Sequence, residues 1–263
     1  MSAGLAVLLL ALGFGGSFLA GLVGIGGAIV MIPLLLYVPP VFGFASLGIK
    51  VVSGITIVQV VAGSLAGLAG HARSGAVDRG LVLWLGGSMV VGSATGAVAS
   101  AAVPARVLEI VFACVALAAA ALTLARRDRL PDEDAARTVP PRLLTVAIGG
   151  GVGTIAGMLG AGGAFLLVPL MLHVLRIPMR TVVGSSLGIV VVSSIAGLAG
   201  KALTGQVDWA LAVFLVVGAV PGGLIGARVS RRTKPHRLSL ILGVVIALVA
   251  VRIWLDVLFG ARA

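Results

Sequence analysis

The chain alternates long apolar runs with short polar breaks. Apolar blocks fall at roughly 3–37, 46–70, 81–102, 105–125, 142–175, 182–203, 209–229 and 238–258. Most are near the ~20 residues that an α-helix needs to cross the hydrocarbon core of a bilayer. Strand-type alternation is absent, which argues against a transmembrane barrel. The pattern predicts an all-α polytopic membrane protein. Two blocks are too long for one span, and each carries a glycine cluster in its middle. These are "GLVGIGGAIVMIP" at 21–33 and "GMLGAGGAFLLVP" at 157–169. Glycine weakens a helix and permits left-handed backbone. Each long block is therefore expected to be two helices joined at a Gly-Gly break.

The two glycine runs also expose an internal repeat. They match at an offset of 157 − 21 = 136, and "SLAGLAGHARSGAVD" (64–78) matches "SIAGLAGKALTGQVD" (194–208) at 194 − 64 = 130. Asp78 pairs with Asp208, and Pro33 with Pro169, which composition alone does not explain. The polar stretch "RRDRLPDEDAARTVPPR" begins at 126 and separates the halves. The expected organisation is a first transmembrane repeat (1–125), a cytoplasmic linker (126–141) and a second repeat (142–263). Paired repeats of this size are typical of secondary transporters.

Charge settles how the repeats are expected to face. The 263 residues are 60% hydrophobic and only 10% charged, with a net charge of +11. The basic residues cluster between apolar blocks, a pattern that sets membrane orientation rather than one that binds nucleic acid. If 3–37 and 142–175 are single spans, Lys and Arg divide almost evenly between the two faces. If each block is a hairpin that returns to the side it entered, 14 basic residues share one face and 5 lie at or near the other. The second arrangement follows the positive-inside tendency. Each hairpin is then followed by three full spans. Three is odd, so the second repeat enters from the opposite face and the repeats are inverted. The expected location is the cell membrane, multi-pass, as in a bacterial inner membrane, with both termini outside. The single cysteine, Cys114, cannot form an intramolecular disulfide.

Broken helices at membrane depth are tolerated where protein buries them or a wet cavity surrounds them. The helix that restarts after each break begins with N–H groups lacking an internal partner, beside a positive dipole end. That is a natural anion site. The candidate substrate-binding residues are therefore Gly24, Gly26 and Gly27 in one break and Gly160, Gly162 and Gly163 in the other. Hydroxyls of Ser53, Thr56, Ser185 and Ser186, with the amide of Gln59, could line the same site as neutral donors. Lys50 and Arg180 are equivalent at offset 130 and are candidate gates, concentrating anions at the two mouths. Snorkelling is the alternative role for both. Glycine packing and Ser/Thr bonding to their own helices are the structural alternatives for the rest. Ser88, Gly92 and Gly96 match Gly218, Gly222 and Gly226 and are expected to be packing stripes. Asp78 and Asp208 are expected helix caps. No metal ligand set or cofactor motif is visible, and no nucleophile–base set points to an enzyme.

The pair "GLVGIGGAIVMIPLLL" and "GMLGAGGAFLLVPLML", with "GSSL" and the "AGLAG…G.VDW" pattern, resembles the sulfite exporter TauE/SafE family of bacterial membrane permeases. The resemblance covers nearly the whole chain and implies a secondary transporter for sulfite or a related organosulfur oxyanion. The first repeat has "SGITI" where the second has "VGSSL", a departure that implies an asymmetric site or a changed substrate. The implied partners are a small anionic substrate and the lipid bilayer, with no nucleic acid and with a homo-oligomer left open. A non-transporting scaffold or receptor remains the alternative, since it needs only packing surfaces.

The charge division makes the topology testable. Cysteines placed at 130 or 234, in a protein whose Cys114 is replaced by serine, should resist a membrane-impermeant thiol reagent added to intact cells. Labelling at either position would overturn the hairpin arrangement.

Overall fold

The computed structural model describes residues 2–23, 28–71, 79–125, 141–177 and 179–230, with single positions at 251 and 254. Among these the chain is all helical. The first long block forms α1 (Ala3–Val23) and α2 (Ala28–Val41), and α3 (Ile49–His71) follows. A short α4 (Arg79–Leu81) runs through a π-helical turn (Val82–Gly86) into α5 (Gly87–Ala99). Next come α6 (Ala105–Ala125), α7 (Arg142–Leu159), α8 (Ala164–His173), α9 (Met179–Leu203) and α10 (Trp209–Ser230). Among the described residues, five helical stretches are long and apolar enough to cross a membrane: Ile49–Ala66, Val82–Ala99, Arg142–Leu159, Ser185–Leu203 and Trp209–Val229. Apart from Val251 and Trp254 in the eighth apolar block and Pro141 at the end of the linker, both segments lie outside the described residues.

The long block at 142–175 breaks where the glycines stand. α7 ends at Leu159, and α8 restarts at Ala164 after three glycines with positive φ. The matching break at Gly24–Gly27 falls outside the described residues, although α1 and α2 flank it. Asp208 caps α10 as its position suggests, its Oδ1 accepting from the Leu211 N–H at 3.1 Å. The same role for Asp78 falls outside the described residues.

One set of polar contacts brings three helix ends together. Lys201, in the last turn of α9, donates to Ser53 in the first turns of α3 and to Ser100 at the end of α5. These three helix ends therefore share one end of the molecule. Between Ser100 and Lys201 the chain crosses the structure through α6 and again through α9. A hairpin in the intervening block fits this placement of the helix ends. At the opposite end the Arg142 guanidinium lies 5.5 Å from the centroid of the Trp84 ring, a pairing suited to a membrane interface.

The closest packing crosses between the halves of the chain. α10 of the second half lies on α1 of the first, and α5 of the first half lies on α7 of the second. Glycine makes both approaches possible. A Cβ on Gly92 would overlap the Gly150 carbonyl, one on Gly96 the Thr154 carbonyl, and one on Gly157 the Ser93 carbonyl. In the other pair, a Cβ on Gly222 would overlap the Phe14 carbonyl, one on Gly226 the Phe18 carbonyl, and one on Gly21 the Gly223 carbonyl. The offsets of 130 and 136 carry each contact of the first set onto one of the second. The stripes read from the sequence are thus packing stripes. In a bilayer, lipid tails are as apolar as any side chain, so helix contacts rely on such close van der Waals fit.

Two three-helix groups result. α1, α10 and α3 form one, while α7, α5 and α9 form the other. They meet where α3 packs on α9. The short helices sit inside this frame, with Ile29, Met31, Ile32 and Leu35 of α2 and Ala164, Phe165 and Leu167 of α8 fully or almost fully buried.

The stripes predict a contrast between glycines. Gly96→Ala or Gly226→Ala should lower stability by about 1–3 kcal/mol through overpacking. Gly151→Ala, where a Cβ meets nothing within 4 Å, should be neutral or stabilise by up to about 1 kcal/mol through helix propensity. Thermal unfolding in detergent measures all three.

Candidate functional site

The break between α7 and α8 is built by backbone geometry that only glycine adopts readily. Gly160 has φ +66°, Gly162 +63° and Gly163 +76°, all in the left-handed region. The turn closes α7 first: the N–H groups of Gly160 and Ala161 donate to the Gly157 and Ala156 carbonyls. It then opens α8, with the Gly163 carbonyl accepting from Leu166 and Leu167. Between these lie four consecutive N–H groups, on Gly162, Gly163, Ala164 and Phe165, for which no acceptor is present among the described residues. All four residues are buried. Unpaired donors at a helix start are ordinary when water reaches them, and costly when it does not.

The turn lies at mid-depth. A Cβ on Gly162 would strike Val60 and crowd Val190, and one on Gly163 would strike Met89. Val60 and Val190 sit near the middle of α3 and α9, and Met89 near the middle of the 79–99 span. Val60 and Val190 are also repeat equivalents at offset 130. On the other side of the turn, a Cβ on Gly160 would overlap the Ser53 carbonyl. Ser53, Thr56 and Val60 recur at helical spacing, so they form one stripe of α3 facing this turn. Thr56 lies within that stripe, fully buried, and its Oγ1 has no hydrogen-bond partner.

The remaining predicted residues are distributed as follows. Ser53 joins the site, its hydroxyl donating to the Lys50 carbonyl at 2.9 Å and accepting from Lys201 at 3.1 Å. Ser185 and Ser186 are fully buried on α9, with Ser186 one turn before Val190, and neither lacks a partner. Gln59 is turned toward α1, where its Nε2 donates to Ser17 Oγ, while its Oε1 has no partner. Lys50 donates to the Ala101 carbonyl at 2.9 Å. Arg180 stands in the first turn of α9, but its side chain is outside the described residues, as are Gly24, Gly26 and Gly27.

Two groups escaped the sequence reading. Ser93 of α5 is fully buried with an unpartnered Oγ close to Gly197 of α9. Lys201 enters the sequence reading only as one of the five basic residues at or near the sparser face, yet none of its surface is exposed. Its ammonium donates to Ser53 Oγ at 3.1 Å, Ser100 Oγ at 2.9 Å and Gln206 Oε1 at 3.1 Å. Gln206 is held in turn by the Ala97 carbonyl, at 3.0 Å, and by Thr204. A signal was present, because Ser193, Gly197 and Lys201 recur every four residues on one stripe of α9. A lysine on a stripe of small buried residues has nowhere to go but inward.

The chain matches the family model for sulfite exporter TauE/SafE over residues 9–253. A probable membrane transporter protein of Xylella fastidiosa is 30% identical over 251 residues, covering 93% of this chain and 94% of the relative. The probable membrane transporter protein YunE of Bacillus subtilis is 24% identical over 97% of this chain and 99% of its own length. A third relative, the probable membrane transporter protein MJ0441 of Methanocaldococcus jannaschii, is 23% identical over 89% of this chain and 90% of its own. No solved structure matches the chain. With nine-tenths of its length matched, and with helices apolar enough for several membrane crossings, the chain is a multi-pass membrane protein that belongs to the sulfite exporter TauE/SafE family.

Proposed function

We propose that the protein is a secondary transporter for a small oxyanion, sulfite or a related organosulfur anion, working by alternating access between two inverted repeats. One observation carries the reading: among the described residues, four consecutive N–H groups on buried residues at the start of α8, and the Thr56 hydroxyl on the facing stripe of α3, have no hydrogen-bond partner. A small oxyanion supplies the acceptors that this site lacks. Hydrogen bonds from neutral donors to an anion are stronger than neutral pairs. Without a full positive charge at the turn, the anion is held but can still leave. Gly160, Gly162, Gly163, Ser53 and Thr56 form the second-repeat side of this site. Ser185, Ser186, Gln59 and the first-repeat glycines Gly24, Gly26 and Gly27 complete it in the proposal. The inverted relation is supported by the paired glycine contacts, which exchange under the repeat offsets.

In the conformation described, Val60, Val190 and Met89 close over the turn. Substrate entry therefore requires α3 and α9 to separate locally. Val60 and Val190 are equivalent, so one small shift could open the turn toward either face. Uptake and export differ only in which gradient drives the cycle.

Glycine variants are poor tests of this site. A side chain at Gly160, Gly162 or Gly163 collides with neighbouring backbone or side chains and imposes positive φ, so lost flux would report lost folding. Thr56→Val is the better probe, being nearly isosteric and removing only an unpaired hydroxyl. Its thermal unfolding midpoint should match or exceed that of the wild type. In proteoliposomes offered sulfite, sulfate, thiosulfate, sulfoacetate and chloride, with and without a proton gradient, at least one oxyanion should move. Thr56→Val should raise KM for that anion roughly tenfold, the effect of one lost hydrogen bond to a charged group at about 1.4 kcal/mol. A wild-type KM in the variant would remove Thr56 from the site. No flux of any anion would favour a scaffold or receptor.

A further inference from the structure

Lys201 is a cation with no exposed surface whose three partners are all neutral oxygens. Buried ammonium groups normally face a carboxylate, because desolvation is costly without a counter-charge. None is within ion-pair distance here among the described residues. Glu109 lies 3.8 Å from Arg106 on α6, and Asp208 caps α10. Lys50 stands at the same end and adds charge rather than offsetting it, its ammonium held by the carbonyl of Ala101, next to Ser100. Three helix ends and the 204–208 loop thus converge on an uncompensated positive charge.

That charge is joined to the glycine turn through one residue. The Ser53 carbonyl packs against Gly160, while the Ser53 hydroxyl accepts from Lys201. Gly54 brings the loop equally close, since a Cβ there would overlap the Gln206 carbonyl. Any anion leaving the turn along the Ser53 side of α3 meets Lys201 next. In sequence, the repeat sets His71 opposite Lys201 and Arg180 opposite Lys50, so a basic pair is encoded for each half.

We propose that Lys201 is the cationic centre of a second small-oxyanion site, at the Lys50 end of the molecule, through which substrate passes on its way to or from the glycine turn. The inference rests on the transport reading and adds the step outside the mid-depth site. In the described conformation, Ser53, Ser100 and Gln206 occupy the ammonium donors. An arriving oxyanion replaces one or more of them and neutralises the charge, and its departure lets the neutral oxygens close back. Bridging α3, α5 and α9, the lysine also ties occupancy of the site to the spacing of the two helix groups.

The test sets charge against structure. Gln206→Glu places a carboxylate where an amide oxygen already receives the Lys201 proton, supplying a built-in counter-ion. Gln206→Ala removes the same hydrogen bonds without adding charge. If Lys201 receives substrate, Gln206→Glu should raise KM for the transported oxyanion at least tenfold above Gln206→Ala, with an equal or higher thermal unfolding midpoint. Lys201→Gln should show a comparable KM defect. If Lys201 is only a clamp, the added carboxylate strengthens it and transport by Gln206→Glu matches that of Gln206→Ala, which overturns the proposal while leaving the glycine-turn site standing. A Lys201→Gln protein that accumulates and keeps the wild-type KM overturns it too. Absence of flux in the wild type itself defeats the transport reading and this inference with it.

Discussion

Backbone-to-backbone contact between helices of opposite halves is the constraint on which the rest of this structure depends. A membrane offers little hydrophobic drive for one helix to prefer another over lipid. Specific pairing must come from close fit, and the closest fit is available where side chains are missing. Gly92, Gly96 and Gly157 seat α5 on α7, while Gly222, Gly226 and Gly21 seat α10 on α1. Each pair joins the first arm of one broken block to a crossing helix of the other half. The halves are therefore woven together, and each of the two triplets holds helices from both repeats. Their shared boundary is the α3–α9 contact. The glycine turn is wedged into that boundary between Val60 and Val190, where a small relative shift changes its surroundings most.

The same close packing explains why the turn is chemically unusual. α3, α5 and α9 press around it, and four amide donors on buried residues have no acceptor among the described residues. Each such donor costs about 1–3 kcal/mol, so a fold built only for stability would cap the start of α8 with a side-chain oxygen. Gly163 at the N-cap provides none, and Thr56 opposite carries an unpaired hydroxyl of its own. Donors left unpaired on both walls of one closed boundary are better explained by a visitor than by packing alone.

Most of this frame was legible because its causes are local. Helix blocks follow from apolar length, the α7–α8 break from three left-handed positions that demand glycine, the packing stripes from four-residue spacing, and the Asp208 cap from its place before Trp209. What escaped depends on partners distant in sequence. Gln59 reads as a neutral donor within a span, yet its direction is set by Ser17, 42 residues away. The π-helical turn at Val82–Gly86 left no clear trace in composition. Lys201 enters the sequence reading only as one of five basic residues at or near one face, since its burial is created by Ser53, Ser100 and Gln206 from three separate segments.

That misreading has a physical lesson for the transport path. Positive-inside counting treats every basic residue as a topological weight, and the hairpin arrangement puts Lys201 on the sparse side of the division. On that side a lysine contributes little to orientation, so topology gives no reason for it to be there. Its burial among neutral oxygens adds a desolvation cost that Met at the same position would avoid. Neutral donors at mid-depth suit release, because they bind an anion without trapping it. A single cation farther along the path suits capture, because it lowers the barrier to dehydrating the anion at the membrane's edge. On the proposed path, a charge at the mouth and neutral donors at the centre separate these two demands, and Ser53, with its carbonyl on Gly160 and its hydroxyl on Lys201, is where they meet.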